Sequence, residues 1–364
     1  VLLGGNMQDS STTASRPGHR AATAFEQYVT GRRGIVEGAV FFLESGDHLD
    51  EVLRVAEPCD VVIAPAAALA PHADPRTIGY DGSYMEPGDE IIFDGRRAFE
   101  LQDYIALPFL SVVGPTVVRQ RSAAGIAAFL SDADTAWESG VFVGQLLSAD
   151  VLLDSRDSFL PADPVGDSLV RIHVTRRGEY RDGPDGLLLG KVGEERADVE
   201  PEAASREGRG RSFAGIVDPS VLEADLDNRP WFERYLAALD LLRLWANAPE
   251  RPAISGFGGH LVAALEEGGS YPAALSPRAP FLVTGDGDEY VLVDRINRRH
   301  LRLTVDSARA AECLIATSDE SEAAALLAIE LGSRVSSVTP LVRELRDRFA
   351  AAGLDVTAMR RGGA

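Results

Sequence analysis

The sequence predicts an α/β (α+β) protein with two parts: an N-terminal α/β domain, and a C-terminal module in which three strands precede three helices. Three observations carry this reading. Short apolar runs alternate with helical periodicity from about Arg20 to Val192. A charged stretch poor in aromatics, Glu194 to Ser212, then interrupts the pattern. Finally, the segment from Ser276 to Leu354 begins with strand alternation and ends with helical spacing. The expected division is a tail over 1–20, an α/β domain over 21–192, a linker or exposed loop over 193–213, a helical connector over 214–275, the strand–helix module over 276–356 and a tail over 357–364.

Within the α/β domain, "AVFFLE" and "DVVIAP" read as buried strands, separated by a helix over "DHLDEVLRVAE" with Leu49, Val52, Leu53 and Val55 on one face. "EIIFDG", "FLSVVGP" and "TVVRQ" read as further strands, and "SAAGIAAFLSDADTAWESG" as a helix. "SLVRIHVT" with "GEYRDGPDGLLLG" suggests a terminal hairpin pair. In the connector, Trp231, Phe232, Tyr235, Leu236, Leu239, Leu242 and Trp245 recur at helical spacing and predict a core-facing stripe. "ISGFGGHLVAALEEG" predicts a glycine-rich turn and a second helix.

In the last segment, "PFLVTGDGDEYVLVD" is a hairpin around Gly285–Asp288, and "RINRR" is a second turn. In "HLRLT", Leu301 and Leu303 share one face while His300 and Arg302 share the other. The first helix is expected to be capped by Asp306 or Ser307, and the second to start on acidic residues and stop at Gly332. The third is expected to have Thr339 as cap, Pro340 at its first position and Gly353 as stop.

Composition narrows the function. The 364 residues carry 36 Lys+Arg against 56 Asp+Glu, a formal charge of -20, which disfavours nucleic acid and anionic membrane surfaces. No apolar run is long enough to span a bilayer, and the N-terminal residues lack the features of a signal peptide. Two distant cysteines, Cys59 and Cys313, make no disulfide framework, so a cytoplasmic protein with both thiols buried is expected. Lys191 is the only lysine and follows no phosphate-binding glycine loop, which removes P-loop and Schiff-base chemistry.

No catalytic constellation is visible. The six histidines, His19, His48, His72, His173, His260 and His300, are scattered, and no nucleophile elbow exists. "SGFGGH" superficially resembles a phosphate cradle, but no strand is expected before it, so it reads as a turn with a structural His260. Asp81, Glu86, Asp89 and Asp94, like Asp286 and Asp288, fit no calcium loop and read as solvated turn acids. No cofactor and no metal is expected.

The informative feature is a run of arginines, Arg295, Arg298, Arg299 and Arg302, within "DRINRRHLRLT". From Ser276 to Phe349 there are 10 Arg and 12 Asp+Glu, so this module is near neutral in a strongly acidic chain. Such arginines either guard an edge strand or mark a binding face, and the contrast in charge favours binding.

Three strands then three helices, with "YVLVDRINRRHLRL", an acidic start to the second helix and a last helix ending "FAAAGL", resembles the PqqD-type winged helix-turn-helix domain. This is the precursor-recognition element of ribosomally made, modified peptides. The resemblance implies that a leader peptide adds as a strand beside the third strand and lies against the third helix. Mapped onto this chain, the leader-binding residues are Arg298, Arg299, His300, Leu301, Arg302, Leu303 and Thr304, with Leu341, Val342, Leu345, Arg346 and Phe349 on the helix.

"IGYDGSYMEPGDEIIFDG" and "LQDYIALPFLSVVGPTVVR" further resemble recognition proteins of daptide biosynthesis in actinobacteria. That implies a non-catalytic adaptor whose partners are a precursor leader and a modifying enzyme, an oxidative decarboxylase (dehydrogenase) acting on the precursor. A homodimer is compatible with the sequence. The rival readings are a winged-helix DNA-binding regulator and an enzyme with a degenerate nucleotide-binding α/β domain.

Overall fold

The computed structural model describes residues 17–69, 74–161, 169–205, 209–245, 252–265, 275–276, 278–284 and 290–354. In chain order these form α1 (Pro17–Thr30), β1 (Val40–Leu43), α2 (Leu49–Val55), β2 (Val61–Pro65), α3 (Ala66–Leu69), β3 (Thr77–Gly82), β4 (Glu90–Phe93), β5 (Arg97–Asp103), β6 (Thr116–Arg119), α4 (Ala123–Ser139) and β7 (Val151–Leu153). The order continues with β8 (Arg171–Val174), β9 (Glu179–Arg181), β10 (Leu188–Lys191), α5 (Arg196–Ser205), α6 (Pro219–Asp227), α7 (Phe232–Arg243) and β11 (Ala253–Ile254). It ends with β12 (Phe281–Thr284), β13 (Tyr290–Asp294), β14 (Arg299–Leu303), α8 (Val305–Thr317), α9 (Glu320–Glu330) and α10 (Val335–Ala351). The chain is mixed α/β, as the sequence predicts. It divides into one unit of Val1–Gln102, Gly114–Arg119 and Leu152–Gly215, and a second of Asp103–Val113, Gln120–Val151 and Ile216–Ala364.

The first unit is built on a ten-stranded sheet ordered β10-β9-β8-β1-β2-β3-β4-β5-β6-β7. Its centre, β8-β1-β2-β3, is parallel, and the strands beside it are antiparallel. A parallel strand is covered on both faces, which is why "VFFL" is apolar without alternation. Val40 and Phe42 meet α1, while Phe41 and Leu43 join Leu49 and Val52 of α2 and Val199 of α5.

Seven inter-strand steps separate β8 from β7, about 34 Å in a flat sheet. Yet Asp154, just after β7, lies 3.6 Å from Arg171 of β8. The sheet therefore curls around α1, whose Phe25 and Tyr28 fill the concave side.

A buried polar network closes the seam. Arg171 donates to the carbonyls of Tyr28 and Val29 at the end of α1 (2.7 and 2.8 Å), to Ser155 Oγ (2.8 Å) and to Asp182 (3.3 Å). It thus satisfies carbonyls that the helix itself leaves unbonded. Arg119 Nε pairs with Asp154 at 2.6 Å, and Arg211 and Ser212 meet Asp182. Burial works to raise the Asp182 carboxyl, but Arg211, Arg171 and Ser212 outweigh it and hold it below the usual range.

His173 is fully buried, with Nδ1 2.7 Å from the Tyr28 hydroxyl and Nε2 2.8 Å from Glu44. Burial lowers its pKa, and Glu44 offsets this only in part. The ring is therefore neutral, with Nε2–H donating to Glu44 and Nδ1 accepting from Tyr28; the partners fix this tautomer. The unfolded chain takes up a proton near pH 6.5, whereas the folded chain resists until lower pH. The stability linked to His173 is complete above that value and is lost as pH falls through the folded-state pKa. Thermal melts between pH 7.5 and 5 should show a falling Tm, and His173→Gln should flatten the slope. An unchanged slope would contradict the neutral assignment.

Three expectations for this part of the chain need correction. "FLSVVGP" is not a strand: a 3-10 helix spans Tyr104–Phe109, irregular backbone follows, and Phe109 and Val113 are exposed. The expected linker over 193–213 is integrated into the first unit through α5. Val199 and Ala203 reach the core there, and Arg196 neutralises buried Asp60. Phe213, buried against Phe159, and Arg211 and Ser212, bound to Asp182, anchor its far end, so a segment whose composition reads as solvated is held by a few side chains. Cys59 is exposed, in the turn between α2 and β2, whereas Cys313 is buried and its thiol is pushed up to about 12 by burial.

The second unit begins with 103–113 and α4, stretches that the sequence assigns to the α/β domain. Trp137 of α4 stacks on Trp231 at 4.7 Å, and Phe129 contacts Phe232 and Tyr235 of α7. The expected stripe of α7 is buried at Trp231, Phe232, Tyr235, Leu236, Leu239 and Leu242, and Trp245 is half-buried. Arg234 on α7 donates to the carbonyls of Ser276 and Ala279 and covers the Phe281 ring at 4.2 Å. Connector and strand–helix module are thus one body rather than two. After the "SGFGGH" loop only a 3-10 turn, Ala263–Leu265, is described; the rest of the expected second helix lies outside the described residues.

The C-terminal order β12-β13-β14-α8-α9-α10 follows the expected pattern, with the two-residue β11 added beside β12. The expected turn falls on residues 285–289 and the expected tails on 1–16 and 355–364, all outside the described residues; α1 starts at Pro17, inside the first expected tail. Two caps differ from expectation. Thr304, not Asp306 or Ser307, caps α8 by accepting from Ser307 N. α10 starts at Val335 and carries Pro340 internally, because Val338 is buried in the core and Thr339 Oγ1 turns back to Val335 O. None of the described helices is long and apolar enough to cross a membrane.

Candidate functional site

β14 ends the four-stranded sheet β11-β12-β13-β14. It pairs with β13 from Asp294↔Arg299 to Tyr290↔Leu303, and no described strand lies on its other side. Its outer backbone N–H and C=O groups therefore form a ready template for an extended chain. Leu301 and Leu303 are half-buried against the domain core, while Arg299, His300 and Arg302 are exposed, matching the expected alternation.

The turn before β14 has its own logic. Asp294 accepts from Ile296 N and Asn297 N, and Arg298 adopts the left-handed region at φ 51° to close the turn. Arg295 is withdrawn from the edge: it donates to Ala237 O (3.1 Å) and Asp240 (3.3 Å) of α7. The hairpin is thereby pinned to the helical part of its unit.

On α10 the residues separate into two sets. Val342, Leu345 and Phe349 are buried within the core shared by α8, α9 and β14, so they form a floor rather than an open wall. Leu341 is partly buried at its margin. Arg346 turns to α9, pairing with Glu320 and with its neighbour Asp347 (2.7 Å), and Arg343 joins Glu320 at 2.9 Å. At about 100° per residue, Arg346 lies roughly 70° to one side of the buried stripe, with Leu341 and Arg348 on the other. Arg348, 71% exposed and paired with Glu344, escaped the sequence reading because helical phase alone does not say which flank α9 covers. Thr304 is committed to the α8 cap.

The "SGFGGH" loop does cradle an anion, but an internal one. Fully buried Glu312 of α8 receives Ser255 Oγ, His260 Nδ1 (3.2 Å), Leu261 N (3.2 Å) and Val262 N (2.8 Å). Gly258 (φ 76°) sits against the backbone of Ser139 and Gly140, where any side chain would collide. The acid at Asp89 is likewise spent locally, accepting from Ser83 Oγ, Met85 N and Glu86 N. Among the described residues, one group has metal-ligand proximity, Glu57, Cys59 and Asp60. There Asp60 already accepts from Ala39 N, Glu57 N and Arg196.

Comparison of the chain with protein-family models, curated proteins and solved structures gave no match.

Proposed function

We propose that this chain is a non-catalytic recognition protein for a ribosomally made, modified peptide of the daptide type. Residues 276–356 would form its PqqD-like winged helix-turn-helix domain. The precursor's leader adds as a strand beside β14 and is presented to modifying enzymes such as an oxidative decarboxylase. The observation that carries this reading is the outer edge of β14, on which no other described strand lies, lined by Arg299, His300 and Arg302 and followed directly by three helices. Backbone pairing supplies affinity, and guanidinium groups select acidic leader positions. On α10, the flank away from α9 offers Leu341 and Arg348 to the guest. Arg295, which a nucleic-acid-binding wing would aim at phosphate, is instead turned to Asp240.

Fluorescence polarisation with a labelled leader peptide of a daptide-type precursor tests the reading. A Kd on the order of micromolar, about -8 kcal/mol, is expected after the cost of ordering the leader. Reversing Arg299 and Arg302 to Glu should weaken binding about tenfold or more, whereas Arg346→Ala should change it less than about twofold, because Arg346 is already engaged by α9. Equal affinity for wild type and the Arg299/Arg302 variant would refute the proposed edge.

A further inference from the structure

We infer that Arg295 is a positioning residue for the β14 edge: from α7 it holds the strand in the orientation with which a guest chain pairs. The inference rests on the leader-binding reading and adds α7 to the recognition machinery.

Among the described strands, β14 ends its sheet and is paired with β13 alone. The turn between them therefore governs how far β14 can swing. Asp294 is 3% exposed and accepts from Ile296 N, Asn297 N and Asn297 Nδ2. These bonds fix the shape of the turn, and all of them lie within the hairpin. Arg295 ties the hairpin to a second element. Its Nη1 donates to Ala237 O (3.1 Å) and its Nη2 to Asp240 Oδ2 (3.3 Å), acceptors three residues apart and so on one face of α7. That helix is a firm anchor, because Tyr235, Leu236, Ala238, Leu239 and Leu241 are buried. It also grips β12, where Arg234 covers the Phe281 ring and donates to the carbonyl of Ala279. α7 thus holds the sheet at β12 and again at the turn that leads into β14. Strand addition uses a row of backbone groups already in line, and an edge that swings has to be ordered when the guest arrives, which subtracts from affinity. The tie is part-exposed, Arg295 at 34% and Asp240 at 23%, so its effect on Kd should be about three- to fivefold.

The test combines the Kd of the same labelled leader with hydrogen exchange of the leader-free full chain. Arg295→Ala should weaken binding about fivefold and speed exchange at the β14 amides bonded to β13. Asp240→Ala should weaken binding about threefold. The direction is diagnostic: for a leader with acidic positions, loss of a nearby carboxylate would strengthen binding if charge alone mattered. The double variant should bind no more weakly than Arg295→Ala, because both changes cut one contact. Arg229→Ala controls for lost stability: it removes the Arg229–Asp134 pair (2.7 Å) of the same unit and should leave leader Kd and β14 exchange unchanged. Unchanged β14 exchange in Arg295→Ala, tighter binding by Asp240→Ala, or equal effects from Arg229→Ala would overturn the inference while wild-type binding keeps the leader reading intact. Absence of leader binding by the wild-type chain would overturn that reading, and the inference with it.

Discussion

Replacing Arg171 with leucine should remove about 3–5 kcal/mol of stability from the first unit, the cost of breaking a buried ion network on one side. The guanidinium serves two carbonyls at the end of α1, one hydroxyl and two carboxylates, and its side chain is 2% exposed. Without it, the carbonyls of Tyr28 and Val29 lose their donor from β8, leaving the Tyr28–His173 bond between α1 and that strand, and Asp154 and Asp182 keep their charge with fewer partners. A domain holds only about 5–15 kcal/mol in total, so the change should approach unfolding. Arg171→Lys should rescue little, because one ammonium cannot span donors arranged for a planar fork. Urea denaturation measures this, and a loss below about 1 kcal/mol would mean that the curled sheet closes without the network.

Glu312→Gln should cost about 2–4 kcal/mol in the second unit. The substitution keeps the shape but turns an amide N–H₂ toward groups that donate to the carboxylate, Leu261 N and Val262 N among them. It also separates the loop from α8, the helix that directly follows β14, so leader affinity should fall with stability. The same experiment tests the internal-anion reading of the glycine loop. Inorganic phosphate should leave the wild-type Tm unchanged; a rise would mean that the loop takes an external anion instead.

Much of the C-terminal architecture was legible because its signals are local. The alternation of His300, Leu301, Arg302 and Leu303 specified both the strand and its faces, and Gly353 marked the end of α10. Pro340 misled, because burial of Val338 outweighed the preference of proline for a first turn. The arginines were legible as a cluster but not as individuals. Arg295 and Arg302 look alike in sequence, and only the position of α7 sends the first to Asp240 while the second stays exposed on the edge. Nor did the sequence give the seam at Arg171: Asp182 reaches it from just past the neighbouring strand β9, but Asp154 and Arg171 meet only because a ten-stranded sheet curls, a long-range event with no local signal.

The most direct test of the account is hydrogen exchange on the full chain with and without the precursor's leader. Addition of a strand to β14 should slow exchange at alternate amides of Arg299–Thr304, those directed away from β13. Slowed exchange confined to the first unit, with Arg299–Thr304 unchanged, would contradict it.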